Sequence, residues 1–121
     1  MLSDAIRQGC KRGPQVYGQW YDGNGGSCVM GAAAYGAGIP YNELTQWPDL
    51  VAFMRQYPYL HTPSNCPVDS CDSFYHVQNK STLLEVLIHL NDRHLWSRET
   101  IADWLTPIAN KQTEEKQLIN A

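Results

Sequence analysis

The sequence predicts a mostly α protein, a compact bundle of four or five short helices with a long loop rich in proline and serine. Its 121 residues, 43% of them hydrophobic and 17% charged, suffice for one core rather than two. Apolar residues recur at the three- and four-residue spacing of amphipathic helices in several short segments. We therefore predict a single helical domain over 1–110, followed by a polar C-terminal tail over 111–121.

The N-terminal segment carries the first helical pattern. Leu2, Ile6 and Cys10 recur every fourth residue and predict a helix across this stretch, with Ser3 as its N-cap. From 15 to 27 the chain is interrupted by glycine, tyrosine and tryptophan, which suits a loop. A minor β-hairpin near 15–27 is the alternative there.

Two further helices are predicted in the first half of the chain. Small side chains at helical spacing predict the second, from Ser27 to about Gly36, with a face that another element can approach closely. Pro48 can occupy the first position of the third helix, which ends before Pro58. Its apolar residues at helical spacing are Leu50, Phe53, Met54 and Tyr57.

The last third of the chain has the clearest helical pattern. Leucine, isoleucine and valine side chains give a wide apolar face from Ser81 to Asp92, which predicts a fourth helix. Ser97 then caps a fifth. Pro107 should end or kink this last helix near Leu105, because proline removes a backbone donor.

The long loop, 59–81, contains a regular series of metal-ligand residues. His61, Cys66, Cys71 and His76 follow one another in the pattern His-x4-Cys-x4-Cys-x4-His. Two thiolates and two imidazoles form a competent tetrahedral zinc set. On a helix, five-residue steps would place successive ligands about 140° apart, so they converge only if the segment folds as a loop. A disulfide between the two cysteines, or two unrelated thiols, are the alternatives.

Cys28 is a second candidate for chemistry. A thiol in the first turn of a helix lies at the positive end of the helix dipole, which can lower its pKa. With His89 and Asp92 downstream, the chain order matches that of papain-like cysteine hydrolases, so the predicted catalytic set is Cys28, His89 and Asp92. The alternative is a buried structural cysteine, a common role for this residue.

Two groups of side chains are candidates for binding. The aromatic loop between 17 and 21 offers large, rigid contact area for a partner or ligand, or else fills the core. The turn after the fourth helix either satisfies loose backbone groups or lines a polar cleft. The predicted binding residues are Tyr17, Trp20, Tyr21, Asn91, Asp92 and His94.

Charge and segment composition restrict the partners and the compartment. Nine Lys and Arg against twelve Asp and Glu leave a net charge of -3, and 13–54 contains no Lys or Arg. A helix-turn-helix protein that binds nucleic acid weakly is therefore an alternative rather than the expectation. The sequence has no signal-peptide pattern and no long apolar run, which predicts a cytoplasmic protein without membrane contact.

Two blocks resemble a family of small uncharacterised proteins of bacteria and their phages. They are the Cys-x-x-Gly-Ala helix that begins at Cys28, and His-Leu-Asn-Asp from His89 followed by the capped Ile-Ala-Asp-Trp helix around Ile101. The resemblance implies a compact helical fold and a microbial or viral origin, in which case the compartment is the bacterial or host cytoplasm. We expect a small non-enzymatic binding or accessory protein that acts on an unknown protein partner or ligand.

Overall fold

Helices account for about half of the described chain, so the mostly α prediction is confirmed. The computed structural model describes residues 1–68, 71 and 81–108. The helices are α1 (Leu2–Cys10), α2 (Val29–Gly36), α3 (Leu50–Gln56), a 3₁₀-helix (Pro58–His61), α4 (Leu83–Asp92) and α5, which is helical over 98–108. The strands are β1 (Tyr41–Asn42), β2 (Trp47–Pro48), β3 (Pro63–Ser64) and β4 (Ser81–Thr82). They form two antiparallel pairs, β1 with β2 and β3 with β4.

The predicted stripe of small residues brings α1 and α2 into very close contact. A Cβ at Gly9 would overlap the carbonyl oxygen of Ala32, and a Cβ at Gly36 would overlap that of Ala5. Backbone therefore packs directly on backbone at two points along the helix pair. The remaining core is continuous and includes fully buried side chains from α4 and α5, such as Leu87.

The helix starts differ from the predicted caps by one or two residues. Met1, not Ser3, precedes α1, and Ser3 is buried within the first turn. Cys28 caps α2 with its own side chain. Pro48 lies in β2 rather than in α3, whose N-cap is Asp49, because the Asp49 carboxylate accepts from the Ala52 N–H at 3.1 Å.

The start of α4 is fixed by a capping box and a strand pair. Thr82 accepts a hydrogen bond from the Glu85 N–H, and the Glu85 carboxylate accepts one from the Thr82 N–H. The Leu83 N–H also donates to the carbonyl of Thr62 at 2.9 Å. The beginning of the long loop is therefore held against the first turn of α4.

The prediction that α5 ends near Leu105 is wrong. The helical backbone continues through Pro107 to 108, the last described residue. Proline has the backbone φ angle that a helix needs and removes only one hydrogen bond. Burial of Ile101, Ala102 and Leu105 stabilises the helix on its other side. The predicted tail, 111–121, lies outside the described residues.

The segment 15–27 is a loop rather than a hairpin. Only isolated bridges occur in it, from Ser27 to Gln15 and to Tyr21, and the first regular hairpin is formed by β1 and β2. The loop places Trp20 and Tyr21 in the core and leaves Tyr17 half exposed. Within residues 1–68, 71 and 81–108, no helix has the length and apolar content needed to cross a membrane.

Candidate metal centre

Two cysteines and two histidines meet beside the C-terminal end of α4. The Sγ atoms of Cys66 and Cys71 and a ring nitrogen from each of His89 and His94 all lie within 4.8 Å of one another. Cys66 and His89 are buried, and the other two side chains are partly buried. Four donor atoms therefore face one small volume.

The spacing of these atoms is close to that of a tetrahedral metal site. Cys66 Sγ lies 3.4 Å from His94 Nε2, and Cys71 Sγ lies 3.4 Å from His89 Nε2. The two Nε2 atoms are 3.0 Å apart. With bonds of about 2.0 to 2.3 Å, a tetrahedral zinc site places its ligand atoms about 3.3 to 3.8 Å apart. The four residues could therefore hold a metal ion.

The end of α4 positions the two histidines. Two residues five positions apart on a continuous helix point about 140° away from each other. Here α4 ends at Asp92, and the N–H groups of Arg93 and His94 both donate to the carbonyl of His89, at 2.8 and 3.4 Å. This tight C-terminal turn brings the His94 ring back, with the two ring planes at 87° and their centroids 4.7 Å apart.

The loop after β3 supplies the two thiols. Pairing of β3 with β4 holds the chain before Cys66 alongside the start of α4. The N–H of Cys71 donates to the carbonyl of Val68 at 3.1 Å. Burial raises the pKa of the Cys66 thiol, the neighbouring Cys71 raises it further, and a backbone hydrogen bond at Val68 lowers it. A bound cation would favour the thiolate instead.

The observed group shares its cysteines, but not its histidines, with the predicted series. His61 lies in the 3₁₀-helix with an exposed side chain and is not one of the four, and His76 lies outside the described residues. The ligands that sequence reasoning missed are His89 and His94. A signal for them exists, because Cys-x4-Cys-x17-His-x4-His is close to the spacing of Cys2His2 zinc sites.

Cys28 lies in an environment that disfavours a nucleophile. Its Sγ accepts a hydrogen bond from the Gly31 N–H at 3.4 Å, which caps α2. Burial raises its pKa to about 11, backbone hydrogen bonds lower it, and the charge of Asp92 raises it. The thiol is therefore protonated at neutral pH, while Nε2 of the predicted base His89 faces Cys71 and His94.

Asn91 connects α4 to residues 15–16 and to the first residue of α2. Its side chain is fully buried and accepts from the Val29 N–H at 3.0 Å and from Gln15 Nε2 at 2.8 Å. It donates to the carbonyl of Val16 at 3.1 Å and to the carboxylate of Asp92 at 2.7 Å. Of the two alternatives for this turn, satisfying backbone groups therefore describes Asn91 better than lining a polar cleft does.

Arg98 is turned into the protein rather than outward. It is 6% exposed, and its guanidinium donates to the carbonyl of Gly13 at 2.7 Å and to the carbonyl and hydroxyl of Ser27. Acidic Glu99 and Asp103 are exposed on the same helix. A helix that binds in the major groove needs basic side chains that face outward. Because Arg98 faces inward, it cannot serve as such a side chain on α5.

Comparison of the chain with protein-family models, curated proteins and solved structures gives no match. The class that the described residues define is a mostly helical protein with a Cys2His2 group, half of it buried, that could hold a metal ion. Inferences about function therefore depend on the chemistry of this group and of the surfaces near it.

Proposed function

We propose that this protein is a zinc-stabilised, non-enzymatic binding protein of the cytoplasm. Zinc at Cys66, Cys71, His89 and His94 would fix the long loop to α4. The aromatic segment 13–54, which has no Lys or Arg, would contact a partner or ligand. The observation that carries the proposal is the convergence of four thiol and imidazole donors within 4.8 Å.

The donor set favours zinc and a structural role. Thiolate and imidazole together suit zinc better than calcium or magnesium, which prefer oxygen ligands. Catalytic zinc sites keep one position open for water or substrate, whereas structural sites take four protein ligands. Four side chains converge here, and two of them are buried. This supports a closed site without a position for substrate.

The composition of the loop explains what the metal would contribute. The segment 59–81 has many proline, serine and aspartate residues and few large apolar ones. It cannot bury enough apolar surface to offset its loss of conformational entropy. Even so, Cys66 is only 3% exposed. Metal bonds would supply the stabilisation that packing does not, as in other small zinc domains.

A binding role is supported by the first half of the chain. Residues 13–54 carry no Lys or Arg, and the exposed or half-exposed Tyr17 and Trp47 lie there. Aromatic side chains contribute strongly to protein and ligand contacts. The cysteine-hydrolase alternative would need a thiolate at Cys28, where burial favours the thiol.

Native mass spectrometry of the full chain tests the metal. We expect one zinc per chain, its loss on treatment with a chelator, and its return on adding zinc. Because the metal binds only the folded state, its removal should lower Tm by about 10 °C or more. Cobalt substitution should give the visible absorption of a tetrahedral thiolate site. A chain that binds no zinc, and whose Tm is unchanged by the chelator, would contradict the proposal.

A pair of histidine variants identifies the ligands. His94→Ala removes one predicted ligand, so we expect weak or no zinc binding and a Tm near that of the chelated wild type. His61→Ala is the matched control, because its side chain is exposed and lies outside the group of four. We expect it to retain one zinc. Loss of zinc in His61→Ala but not in His94→Ala would show that the ligands come from the loop series instead.

A further inference from the structure

A cavity of about 420 Å³ lies beside the end of α4, where Asp92 is one of its lining residues. Four parts of the chain line it: the segment 18–21, Cys28 at the start of α2, residues 45–47 at the start of β2, and one face of α4. This volume falls in the range of small-ligand sites, about 300 to 1,000 Å³. The residues that matter for its chemistry are Trp20, Tyr21, Gln46, Trp47 and Asp92.

The one charged side chain among the lining residues is that of Asp92. Its Oδ1 accepts hydrogen bonds from the Gly18 N–H at 3.0 Å and from Asn91 Nδ2 at 2.7 Å, which fix the carboxylate in place. No Lys, Arg or His of the described chain forms an ion pair with it. A carboxylate has room for about four hydrogen bonds, so it can accept more donors from a ligand.

Two tryptophans form an aromatic wall of the same cavity. The rings of Trp20 and Trp47 lie 5.6 Å apart between centroids and are inclined at 33°. Trp20 is held in the core by an edge contact with Phe53, whereas Trp47 is 50% exposed. The face of an indole ring attracts organic cations more strongly than any other aromatic side chain.

Two lining residues also carry buried polar atoms without a partner among the described residues. These atoms are the hydroxyl of Tyr21 and Oε1 of Gln46. The other end of the Gln46 amide is used, since its Nε2 donates to the carbonyl of Glu43 at 2.6 Å. Gln46 also has φ 60, a left-handed conformation that non-glycine residues rarely adopt. Buried polar atoms are normally paired, and strained residues often lie at functional sites.

From these observations we propose that the cavity binds an organic cation, an ammonium or guanidinium group. Its single carboxylate and its two lining tryptophans favour a positively charged ligand. This inference deepens the proposed binding function by naming the class of ligand. The cation could belong to a small molecule or to a Lys or Arg side chain of a partner, and the two share the same chemistry.

Titration of the zinc-loaded full chain with matched small ligands tests the charge requirement. Butylguanidinium and tetramethylammonium are the cationic probes, and butylurea is the uncharged counterpart of the first. Chemical shifts of backbone amides, or tryptophan fluorescence, report binding. We expect saturable binding of a cation, at least tenfold tighter than that of butylurea, with shifts confined to the cavity residues. Equal binding of butylurea and butylguanidinium would overturn the proposal, as would the absence of binding by every probe, peptides included.

Two variants separate the site from the rest of the acidic surface. Asp92→Asn keeps an oxygen for Gly18 and Asn91 but removes the charge, so cation binding should weaken at least tenfold. Glu43→Gln is the control, since Glu43 is exposed in the same region and does not line the cavity. It should bind as the wild type does. Unchanged affinity in Asp92→Asn, or an equal loss in Glu43→Gln, would refute the assignment.

A third arm distinguishes the sources of the cation. A capped Gly-Arg-Gly peptide that binds at least tenfold more tightly than butylguanidinium would indicate a partner's side chain, whereas similar affinities would indicate a small molecule. Zinc content is measured in every sample. Cation binding that fails while one zinc is retained refutes this inference alone, and a chain without zinc refutes the metal proposal.

Discussion

The side chain of Asn91 joins three parts of the chain, and its removal should therefore be costly. It is fully buried at the end of α4 and makes hydrogen bonds to Gln15, Val16 and Val29 as well as to its neighbour Asp92. Asn91→Ala would remove all of these bonds at once. The segment before α2 would lose its main connection to α4.

The size of the effect follows from what each partner can do afterwards. Gln15 keeps its hydrogen bond to the carbonyl of Trp96 at 2.8 Å, and the carbonyl of Val16 is only partly buried, so water can reach it. The N–H of Val29 is in a residue with no exposed surface, and it would remain unpaired. A buried unpaired group costs about 1 to 3 kcal/mol, and each lost bond about 1 kcal/mol. We expect the free energy of unfolding to fall by about 2 to 4 kcal/mol.

Urea unfolding at saturating zinc measures this change. Asn42→Ala is the matched control, because its carboxamide oxygen also accepts two backbone hydrogen bonds, from Leu44 and Thr45, but in an exposed turn. We expect the control to lose about 1 kcal/mol or less. Equal losses in the two variants would refute the role given to Asn91, as would a loss below 1 kcal/mol in Asn91→Ala.

Two further outcomes follow from the packing of α1 and the burial of Cys28. Gly9→Ala places a Cβ against the carbonyl of Ala32, so the free energy of unfolding, measured by thermal unfolding, should fall by about 1 to 3 kcal/mol. The control is Gln8→Ala, an exposed position on the same helix, which should change this free energy by less than about 0.5 kcal/mol. Similar values for both variants would contradict the close helix contact. Burial raises the pKa of Cys28 from 9.0 to about 11, so between those pH values the unfolded chain releases a proton that the folded chain keeps. Stability should fall with rising pH across this window, and less steeply in Cys28→Ala; identical slopes in urea unfolding would show that Cys28 does not contribute.

The helices could be predicted because they are determined by residues close together in the sequence. Each has apolar residues at helical spacing over two or more turns, and α1 and α4 agree with the predicted ranges to within two residues. The caps were less predictable, since several serine, threonine and aspartate residues near each helix start can serve. The loop 15–27 could not be predicted in detail, because its conformation depends on Asn91 and Arg98, which lie far along the chain.

Of the candidate metal site, the two cysteines could be predicted from the sequence, but the two histidines were not. Cys66 and Cys71 stand out in a loop with few apolar residues, which made a local ligand series attractive. The histidines lie at the end of a strongly apolar helix, where a histidine usually serves packing or a helix C-terminus. The end of α4 at Asp92 was predicted, but the convergence also requires the pairing of β3 with β4, which brings the chain before Cys66 alongside α4. This pairing does not follow from local spacing.

The end of α4 contacts two separate parts of the chain. His89 and His94 face the thiols, while Asn91 and Asp92 between them hold the loop 15–18. A residue inserted between His89 and Asn91 would rotate everything after it by about 100° and separate both sets of contacts together. This short stretch can vary in its outward-facing side chains, as at Arg93, but its length is fixed by two independent requirements.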